Sequence, residues 1–188
     1  AEGEIIVPGP NVRQGYRTNE AATNEVIIEP GVCRTGDLGK LDKDGYLSIT
    51  GRVKSQFKLE NGKYVSPAPL EENLKLSPLV EQAVLDGRNM KNTYLIVHPN
   101  MEAMKAAMQD AGVDVSGSDA DICASQTTRD WLLGELKAKN MTAPAWKGYE
   151  VATSIILDPV EWSTDNDMMT PSLKVNLRNL LSHLEAEL

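Results

Sequence analysis

The chain has 188 residues, a formal net charge of −8 and a hydrophobic fraction of 41%. This composition is typical of a folded globular protein and excludes wholesale disorder and collagen-like repeats. The acidic balance disfavours non-specific nucleic-acid binding, which needs a basic surface. The two cysteines, Cys33 and Cys123, are too few for a disulfide scaffold or a multi-cysteine zinc site. We therefore expect free thiols in a reducing, cytoplasmic compartment.

The N-terminal third of the chain predicts short strands separated by turns. Glu4–Val7 favours a strand, and a short helix is expected around Thr18–Glu25. Two hairpins follow, one around Asp42–Gly45 and one around Asn61-Gly62. Because Asn-Gly readily adopts positive φ angles, we predict a two-residue turn at the second hairpin.

After Pro67 the pattern changes to alternating helices and strands. The predicted helices are Leu70–Leu76, Asn100–Gly112 and Thr128–Lys139, and the predicted strands are Val80–Leu85, Thr93–Val97 and Ser154–Leu157. Gly117–Ser125 is expected to be a polar loop. The methionines of the second helix share one stripe, which favours core packing: Met101, Met104 and Met108.

A helix is predicted at the C-terminus. Thr170 is a suitable N-cap and Pro171 fits a first helical turn. Leucines then recur at helical spacing, at Leu173, Leu177, Leu180, Leu181, Leu184 and Leu188. We thus expect an α+β protein, with a short β-rich segment at residues 1–50 and a small α/β sandwich with a central sheet at residues 51–188. The boundary is expected near Gly51–Lys54.

Local cationic charge marks one candidate site. Residues 51–63 hold four basic residues against one acid, namely Arg52, Lys54, Lys58 and Lys63 against Glu60. From charge alone this is either a solvated hairpin face or an anion site for a nucleotide or phosphorylated cofactor. The nearby Arg34-Thr35-Gly36-Asp37 is either a simple turn or a rigid loop whose carboxylate accepts two sugar hydroxyls.

Other chemically capable residues are less informative. Lys174, near the start of the expected terminal helix, is either a solvent-facing lysine or a charge that meets a phosphate. His98 and His183 are too isolated to suggest a metal site, so none is predicted. Cys33 has no His-Asp or His-Asn pattern that would make it a nucleophile.

Together these segments resemble acyl-CoA synthetases of the adenylate-forming superfamily, which also holds luciferases and peptide-synthetase adenylation domains. The signature is GVCRTGDLGKLDKDGYLSITGRVKSQFKLENGKYVSPAPLE, with GEIIVPGPNVRQGY before it, EENLKLSPLVEQAVLDG after it and MMTPSLKVNLRNLL at the end. The segment KLENGKYVSPAPLE looks most like the corresponding segment in the long-chain fatty acid branch of these synthetases. The similarity extends over nearly the whole chain and is weakest from Gly112 to Ser125.

The resemblance implies a two-step reaction, in which ATP and a fatty acid form an acyl-adenylate and CoA then displaces AMP. It implies ATP, CoA and Mg²⁺, with the metal bound mainly by a large N-terminal domain. Residues 1–50 would be the tail of that domain. Residues 51–188 would be a mobile lid that rotates between the two half-reactions. Small-molecule substrates and the large domain are the implied partners, and peripheral membrane association is left open.

Site roles follow from the resemblance position by position. Asp37 matches the acid that binds the ribose hydroxyls, and Arg52 a nucleotide-contacting arginine. Lys54 matches the hinge, and Lys174 the adenylation lysine. Asn61-Gly62-Lys63 matches the loop that approaches the thiol channel.

The chain also departs from the family. Many relatives carry a second lysine and an acid at the hinge, where this chain has Arg52-Val53-Lys54-Ser55. Asn176 interrupts the usual basic ending, which puts a CoA-phosphate role of the last helix in doubt. The phosphate loop and the adenine-binding segment of the family do not occur in this sequence.

These absences, and a start at Ala1, lead us to expect a piece of a longer protein that is inactive alone. The alternatives are a lid from an aryl-CoA ligase or a peptide synthetase, and a stand-alone binding module without catalysis.

Overall fold

The computed structural model describes residues 2–185, which form two compact units. Of the described residues, unit 1 comprises 2–57 and 64–69, and unit 2 comprises 58–63 and 70–185. The mixed helix-and-sheet fold expected from the sequence is confirmed. The domain boundary near Gly51–Lys54 stays a prediction. No helix within residues 2–185 is long and apolar enough to cross a membrane.

Unit 1 is built around one long central strand. Its elements are β1 (Glu2–Pro8), α1 (Glu20–Val26), β2 (Ile27–Glu29), β3 (Val32–Leu41), β4 (Leu47–Arg52) and a short 3₁₀ helix (Val53–Ser55). Strand β3 pairs antiparallel with β1, β2 and β4. The short helix begins where expected, because the Asn19 side chain accepts a hydrogen bond from the Ala22 amide at 2.9 Å.

The two predicted hairpins share one turn geometry. In the first, Gly45 N donates to Asp42 O and Asp42 N donates to Tyr46 O. In the second, which joins β5 (Phe57–Lys58) and β6 (Tyr64–Val65), Gly62 N donates to Leu59 O and Leu59 N donates to Lys63 O.

Each turn is therefore a three-residue loop that ends in a left-handed glycine, with φ of 86° at Gly45 and 85° at Gly62. Among residues 2–185, the positive φ angles outside glycine belong to Asn89, Asp167 and Leu173. The hairpin prediction at Asn61-Gly62 is right, but its two-residue turn is wrong. Only Gly62 supplies a positive φ, and Asn61 instead accepts a hydrogen bond from Lys63 N through its side chain.

Unit 2 contains a three-stranded sheet and most of the helices. After β6, which belongs to unit 1, the elements up to residue 99 are α2 (Pro67–Leu74), which begins in unit 1, β7 (Val80–Asp86) and β8 (Tyr94–Pro99). They continue with α3 (Met101–Asp110), α4 (Asp119–Ala124), α5 (Gln126–Lys139), β9 (Ser154–Leu157) and α6 (Leu177–His183). Strand β8 lies at the centre, antiparallel to β7 and parallel to β9. Its run of apolar residues is typical of a strand covered on both faces.

The core of unit 2 lies on both sides of this sheet. On one face Val84, Ile96 and Ile156 pack with a cluster from the C-terminal region, consisting of Trp162, Met168, Leu180 and Leu184. The alternating residues Leu85, Leu95 and Leu157 are also buried. Met104 and Met108 are fully buried, which confirms the predicted packing role of the α3 stripe.

Two local predictions in unit 2 are wrong. The expected polar loop at Gly117–Ser125 contains α4, whose N-terminus has a complete capping box between Ser118 and Asp121. The terminal helix begins at Leu177 and not near Pro171. Leu188 of the predicted leucine stripe lies outside the described residues. Both cysteines are free thiols.

Candidate functional site

Asp37 and Arg52 form an ion pair on neighbouring strands of unit 1. They are register partners across β3 and β4, and Arg52 Nε lies 2.7 Å from Asp37 Oδ1. Residues 34–37, expected to form a turn or a loop, lie inside β3, at an irregularity where the pairing with β1 shifts register and Gly36 has a φ of 75°. The Thr35 hydroxyl stabilises this part of the strand, because it accepts a hydrogen bond from Asp37 N and donates one to Ile5 O. A carboxylate offers about four acceptor positions, so this anchored aspartate retains capacity for hydroxyl donors.

A cavity of about 450 Å³ within unit 1 is lined by Arg52 of this pair and by Thr35 and Gly36, which precede Asp37 in the chain. Its charged lining residues are Glu4, Arg13, Glu25, Arg34, Arg52 and Lys54. Arg34 Nη1 is 2.6 Å from Glu4 Oε2. Arg13 donates to the Tyr16 hydroxyl and lies 4.6 Å from the centroid of its ring. Arg52 and Lys54 therefore line the same cavity as Arg13 and Arg34, which are already bonded to Tyr16 and Glu4.

Lys54 lies in the 3₁₀ helix that follows β4, a segment closed by a hydrogen bond from Gln56 N to Arg52 O. Its ammonium is 2.8 Å from Glu25 Oε1 on α1, and both side chains are exposed. The hydrogen bond to Glu25 raises the pKa of Lys54. Lys54 thus pairs with an acid on α1, which lies outside residues 52–55. Rotation at Lys54 remains a prediction.

Asn61, Gly62 and Lys63 are all exposed on the second hairpin turn. The Lys63 ammonium lies 4.5 Å from the centroid of the Tyr149 ring, which is a cation–π contact. Lys147 Nζ lies 5.8 Å from the same centroid. Sequence reasoning did not connect residues 63 and 149, because only the tertiary fold brings them together.

Lys174 is exposed in a turn that precedes α6. Thr170 N donates to Lys174 O at 2.8 Å, and Lys174 N donates back to the Thr170 hydroxyl at 3.2 Å. Thr170 thus closes a turn instead of capping a helix, which corrects the expected placement of Lys174 at a helix start. The turn holds the backbone of Lys174 while its side chain remains accessible to solvent.

A buried carboxylate that sequence reasoning missed organises the C-terminal region. Asp158 Oδ2 accepts a hydrogen bond from Trp162 Nε1 at 2.8 Å and lies 3.6 Å from His183 Nε2. His98 Nδ1 lies 2.9 Å from the backbone oxygen of Asp158. The two histidines that looked isolated in sequence therefore meet at one aspartate. Their spacing, 85 residues apart in the numbering, gave no signal of this.

Glu71 is a second residue that sequence reasoning missed. Its Oε1 accepts a hydrogen bond from Leu85 N at 2.9 Å, which fixes the side chain of α2 against β7. Burial of the carboxyl raises its pKa to about 7, although the hydrogen bond from Leu85 opposes this shift. The Glu71 carboxyl therefore loses its proton near neutral pH. Because this shift depends on burial, the pH dependence of stability tests how tightly α2 packs in unit 2.

Comparisons with known proteins bear on the whole chain. Residues 54–116 match the family model described as the AMP-binding enzyme C-terminal domain. The chain is 31% identical over 187 residues to long chain acyl-CoA synthetase 4 of Arabidopsis thaliana, covering 99% of this chain and 28% of that protein. It is also 31% identical over 188 residues to human long-chain-fatty-acid–CoA ligase 1, covering 100% of this chain and 26% of the ligase. The chain therefore spans about a quarter of the length of these relatives.

Solved structures share the fold. The adenylation domain of a carboxylic acid reductase from Segniliparus rugosus, in complex with AMP and a co-purified carboxylic acid, matches with a TM-score of 0.78 and 21% identity. That match covers 99% of this chain and 27% of the reductase chain. The O-succinylbenzoate CoA synthetase of Bacillus subtilis, in complex with ATP and magnesium, matches with a TM-score of 0.62 and 23% identity, covering 97% and 30%.

These findings confirm the resemblance to long-chain acyl-CoA synthetases and to the adenylate-forming fold.

Proposed function

We propose that this chain is the C-terminal part of an ATP-dependent long-chain fatty acid–CoA ligase. In that reaction a fatty acid and ATP form an acyl-adenylate and pyrophosphate, and CoA then displaces AMP. The similarity to long-chain ligases along the whole chain supports the substrate class. The structural observation that supports it best is the Asp37 carboxylate on β3, which is paired with Arg52 and whose backbone amide donates a hydrogen bond to the Thr35 hydroxyl.

We assign the nucleotide to Asp37 and Arg52. A ribose presents two adjacent hydroxyl donors, and the Asp37 carboxylate is fixed well enough to accept both. Arg52 holds the carboxylate through one oxygen and borders the 450 Å³ cavity. A guanidinium has five N–H donors, so Arg52 retains donors for a phosphate or a ribose oxygen after it has paired with Asp37.

Lys174 is the proposed adenylation lysine. Attack of the fatty acid carboxylate on the α-phosphorus of ATP spreads negative charge over phosphoryl oxygens, which a positioned ammonium stabilises. The backbone turn closed by Thr170 fixes the origin of the side chain, and the exposed ammonium is free to enter a site on a neighbouring domain. Thioester formation needs no such cation, so a lid that rotates at Lys54 would withdraw it.

Magnesium is not assigned to this chain. Within residues 2–185 no group of three or more His, Cys, Asp or Glu side chains is arranged to hold a metal ion. The proposal therefore places magnesium on the large N-terminal domain.

The exposed apolar surface of unit 1 supports a large N-terminal domain as partner. Tyr46 and Ile49 are 73% and 69% exposed, and Leu41 and Leu47 are also more than half exposed. Apolar side chains grouped on one hairpin are typical of a surface that packs against another protein surface. A cytoplasmic location and peripheral membrane contact remain hypotheses of this proposal.

The test is the substitution Lys174→Ala in the longer protein. We expect adenylation, measured by pyrophosphate exchange, to fall by roughly 100- to 1000-fold, because one preorganised charge contact is lost. Thioester formation from preformed acyl-adenylate should change far less. Arg178→Ala is the matched control, because it removes a cation four residues further along the chain, in α6. It should leave pyrophosphate exchange within a few-fold of wild type.

Equal losses in both half-reactions would contradict the role of Lys174. A preference of the wild-type protein for aryl acids or amino acids over fatty acids would instead favour the alternative ligase classes. Acyl-CoA synthesis by the 188-residue chain alone would contradict its assignment as a part of the enzyme.

A further inference from the structure

The turn that carries Lys174 contains a strained residue. Leu173, directly before the lysine, has a φ of 57° although its side chain is 73% exposed. L-residues with bulky side chains rarely adopt this left-handed conformation, and an exposed leucine gains little packing from it. Such strain persists only where neighbouring contacts hold the backbone in place. The contacts that hold this turn therefore influence where the Lys174 ammonium lies.

A short hairpin forms the base of the turn. Met169 and Val175 are antiparallel bridge partners, and Asn176 N donates a hydrogen bond to Met168 O at 2.8 Å. Met168 is buried in the core cluster of unit 2, and Met169 and Val175 pack against that cluster. Both sides of the hairpin base are therefore attached to the core, where Trp162 is the largest side chain.

The Trp162 ring is oriented by one polar contact. The side chain is buried in the cluster, and its indole Nε1 donates a hydrogen bond to Asp158 Oδ2 at 2.8 Å. An indole has a single N–H donor and no acceptor, so this bond satisfies the polar group of the ring. It also restrains the ring against rotation within the cluster on which the hairpin base packs.

Asp158 is itself held by the central sheet. It follows β9 directly, and its backbone N donates to Val97 O on β8 at 2.9 Å. Its carboxylate is buried, with Oδ1 accepting from Val160 N at 3.0 Å and Oδ2 lying 3.6 Å from His183 Nε2. A buried carboxylate is stable only with such partners. Asp158 therefore links the sheet, the Trp162 ring and α6, which follows the Lys174 turn.

We infer that Asp158 is a positioning residue for the adenylation step and acts through Trp162 on the Lys174 turn. The inference rests on the proposed function, which gives Lys174 its role in that step. Asp158 fixes the ring under the hairpin base and thereby fixes the origin of the Lys174 side chain. A displacement of about 1 Å costs on the order of 100-fold in rate when it affects a group at the reacting atoms.

The first experiment is Asp158→Asn in the longer protein. Asparagine has the same size but a single acceptor oxygen, so it cannot accept from Val160 N and Trp162 Nε1 as the two carboxylate oxygens do. We expect the kcat of pyrophosphate exchange to fall by roughly 10- to 100-fold, with the KM for ATP within about 3-fold of wild type. Thioester formation from preformed acyl-adenylate should stay within a few-fold. Equal losses in both half-reactions would indicate a purely structural role and overturn the inference.

Two buried tryptophans of unit 2 provide a matched pair. The indole of Trp146 donates to Asn73 Oδ1 at 2.9 Å, and Trp146 and Trp162 are 4% and 3% exposed. Trp162→Phe should slow pyrophosphate exchange about as much as Asp158→Asn, and the double variant should be little slower because both changes act through one contact. Trp146→Phe removes the same donor and should leave pyrophosphate exchange within a few-fold of wild type. Equal losses in the two phenylalanine variants would overturn the inference.

Hydrogen exchange of the ¹⁵N-labelled 188-residue chain tests the same contact without catalysis. The amides of Thr170 and Lys174 both donate hydrogen bonds within the turn. Asp158→Asn should speed their exchange by roughly 3- to 10-fold, as expected for the loss of one buried hydrogen bond. Trp146→Phe should leave it unchanged. Unchanged exchange in Asp158→Asn, or equal acceleration in Trp146→Phe, would overturn the inference.

Failure of the inference and failure of the proposed function give different results. If Lys174→Ala abolishes adenylation while Asp158→Asn adenylates normally, the inference is overturned and the proposed function stands. If the wild-type longer protein forms no acyl-adenylate, the proposed function fails. Faster exchange at Lys174 in Asp158→Asn would then still support the hold of Asp158 on the turn.

Discussion

Unit 2 buries a large cluster of its apolar side chains, although Leu76 and Leu173 are exposed, whereas unit 1 leaves many of its own in contact with solvent. Ile96 on β8 is fully buried within the sheet core, but Ile49 on β4 is 69% exposed. In the described part of unit 1, the buried hydrophobic side chains are those of Phe57 and Val65. This difference indicates that unit 2 has the core of an independently folding domain. The exposed apolar residues of the unit 1 sheet are suited to packing against the surface of another domain.

The largest effect should come from truncating the same residue type in each unit. Ile96→Ala removes fully buried methyl and methylene groups and should lower the free energy of unfolding by about 2–5 kcal/mol. Ile49→Ala, its matched control on an exposed strand, should change it by about 0.5 kcal/mol or less. Urea denaturation followed by tryptophan fluorescence measures the first effect, since Trp162 lies in the Ile96 cluster. Because all three tryptophans lie in unit 2, hydrogen exchange of the β4 amides measures the second.

An equal and large cost at Ile49 would break the comparison, because it would show that the exposed sheet of unit 1 is packed in solution. In the longer protein the expectation changes. There Ile49→Ala should become destabilising if the large domain covers β4.

A second, smaller effect concerns the pH dependence of unit 2. Burial raises the pKa of Glu71 to about 7 in the folded state, from an ordinary value of 4.5. Between these pH values the folded protein keeps a proton that the unfolded chain releases, so the free energy of unfolding falls as the pH rises and levels off above about pH 7. At about 1.4 kcal/mol per pKa unit, the rise from 4.5 to about 7 corresponds to a full loss on the order of 3.5 kcal/mol.

Glu71→Gln isolates this contribution. The glutamine keeps the oxygen that accepts from Leu85 N but cannot ionise, so the variant should be more stable than wild type at pH 8 and should lose the slope between pH 5 and pH 7. Glu72→Gln, the neighbouring exposed acid, is the control. Identical pH profiles for wild type and Glu71→Gln would show that Glu71 is hydrated in solution and that unit 2 is looser than its core suggests.

The sequence predicted elements well where one pattern dominates and poorly where two local structures compete. Short apolar runs indicated the strands of the unit 2 sheet, and β9 has the predicted bounds. The central strand of unit 1, β3, was not predicted, because the polar residues and the glycine of Arg34-Thr35-Gly36-Asp37 are typical of a turn. Thr170-Pro171 is compatible with a helix start and with a turn. The turn forms because Thr170 makes hydrogen bonds with both backbone groups of Lys174. Leu173, which was counted in the leucine stripe, is exposed and has a φ of 57°. Helix α4 was missed although its capping box was visible in Ser118 and Asp121.

The candidate site divides in the same way. The family resemblance supplied Asp37, Arg52, Lys63 and Lys174, but no spacing rule predicts that Asp37 and Arg52 pair or that Lys63 meets Tyr149. Those contacts depend on strand register and on tertiary packing, which a single sequence does not encode as a local pattern. The buried Asp158, with two histidines and a tryptophan, is invisible in sequence for the same reason.

The smallest effect is expected from an ion pair in unit 1. Arg34 and Glu4 lie 2.6 Å apart across β1 and β3, but the arginine side chain is half exposed. Because water solvates both charges, a double-mutant cycle with Arg34→Gln and Glu4→Gln should give a coupling energy of about 0.2–1 kcal/mol. The coupling should shrink in 1 M salt, where the Debye length is about 3 Å. Hydrogen exchange of the β3 amides measures it locally. A coupling several times larger that resists salt would mean that the pair is desolvated, and unit 1 would then be more closed than its exposed apolar residues indicate.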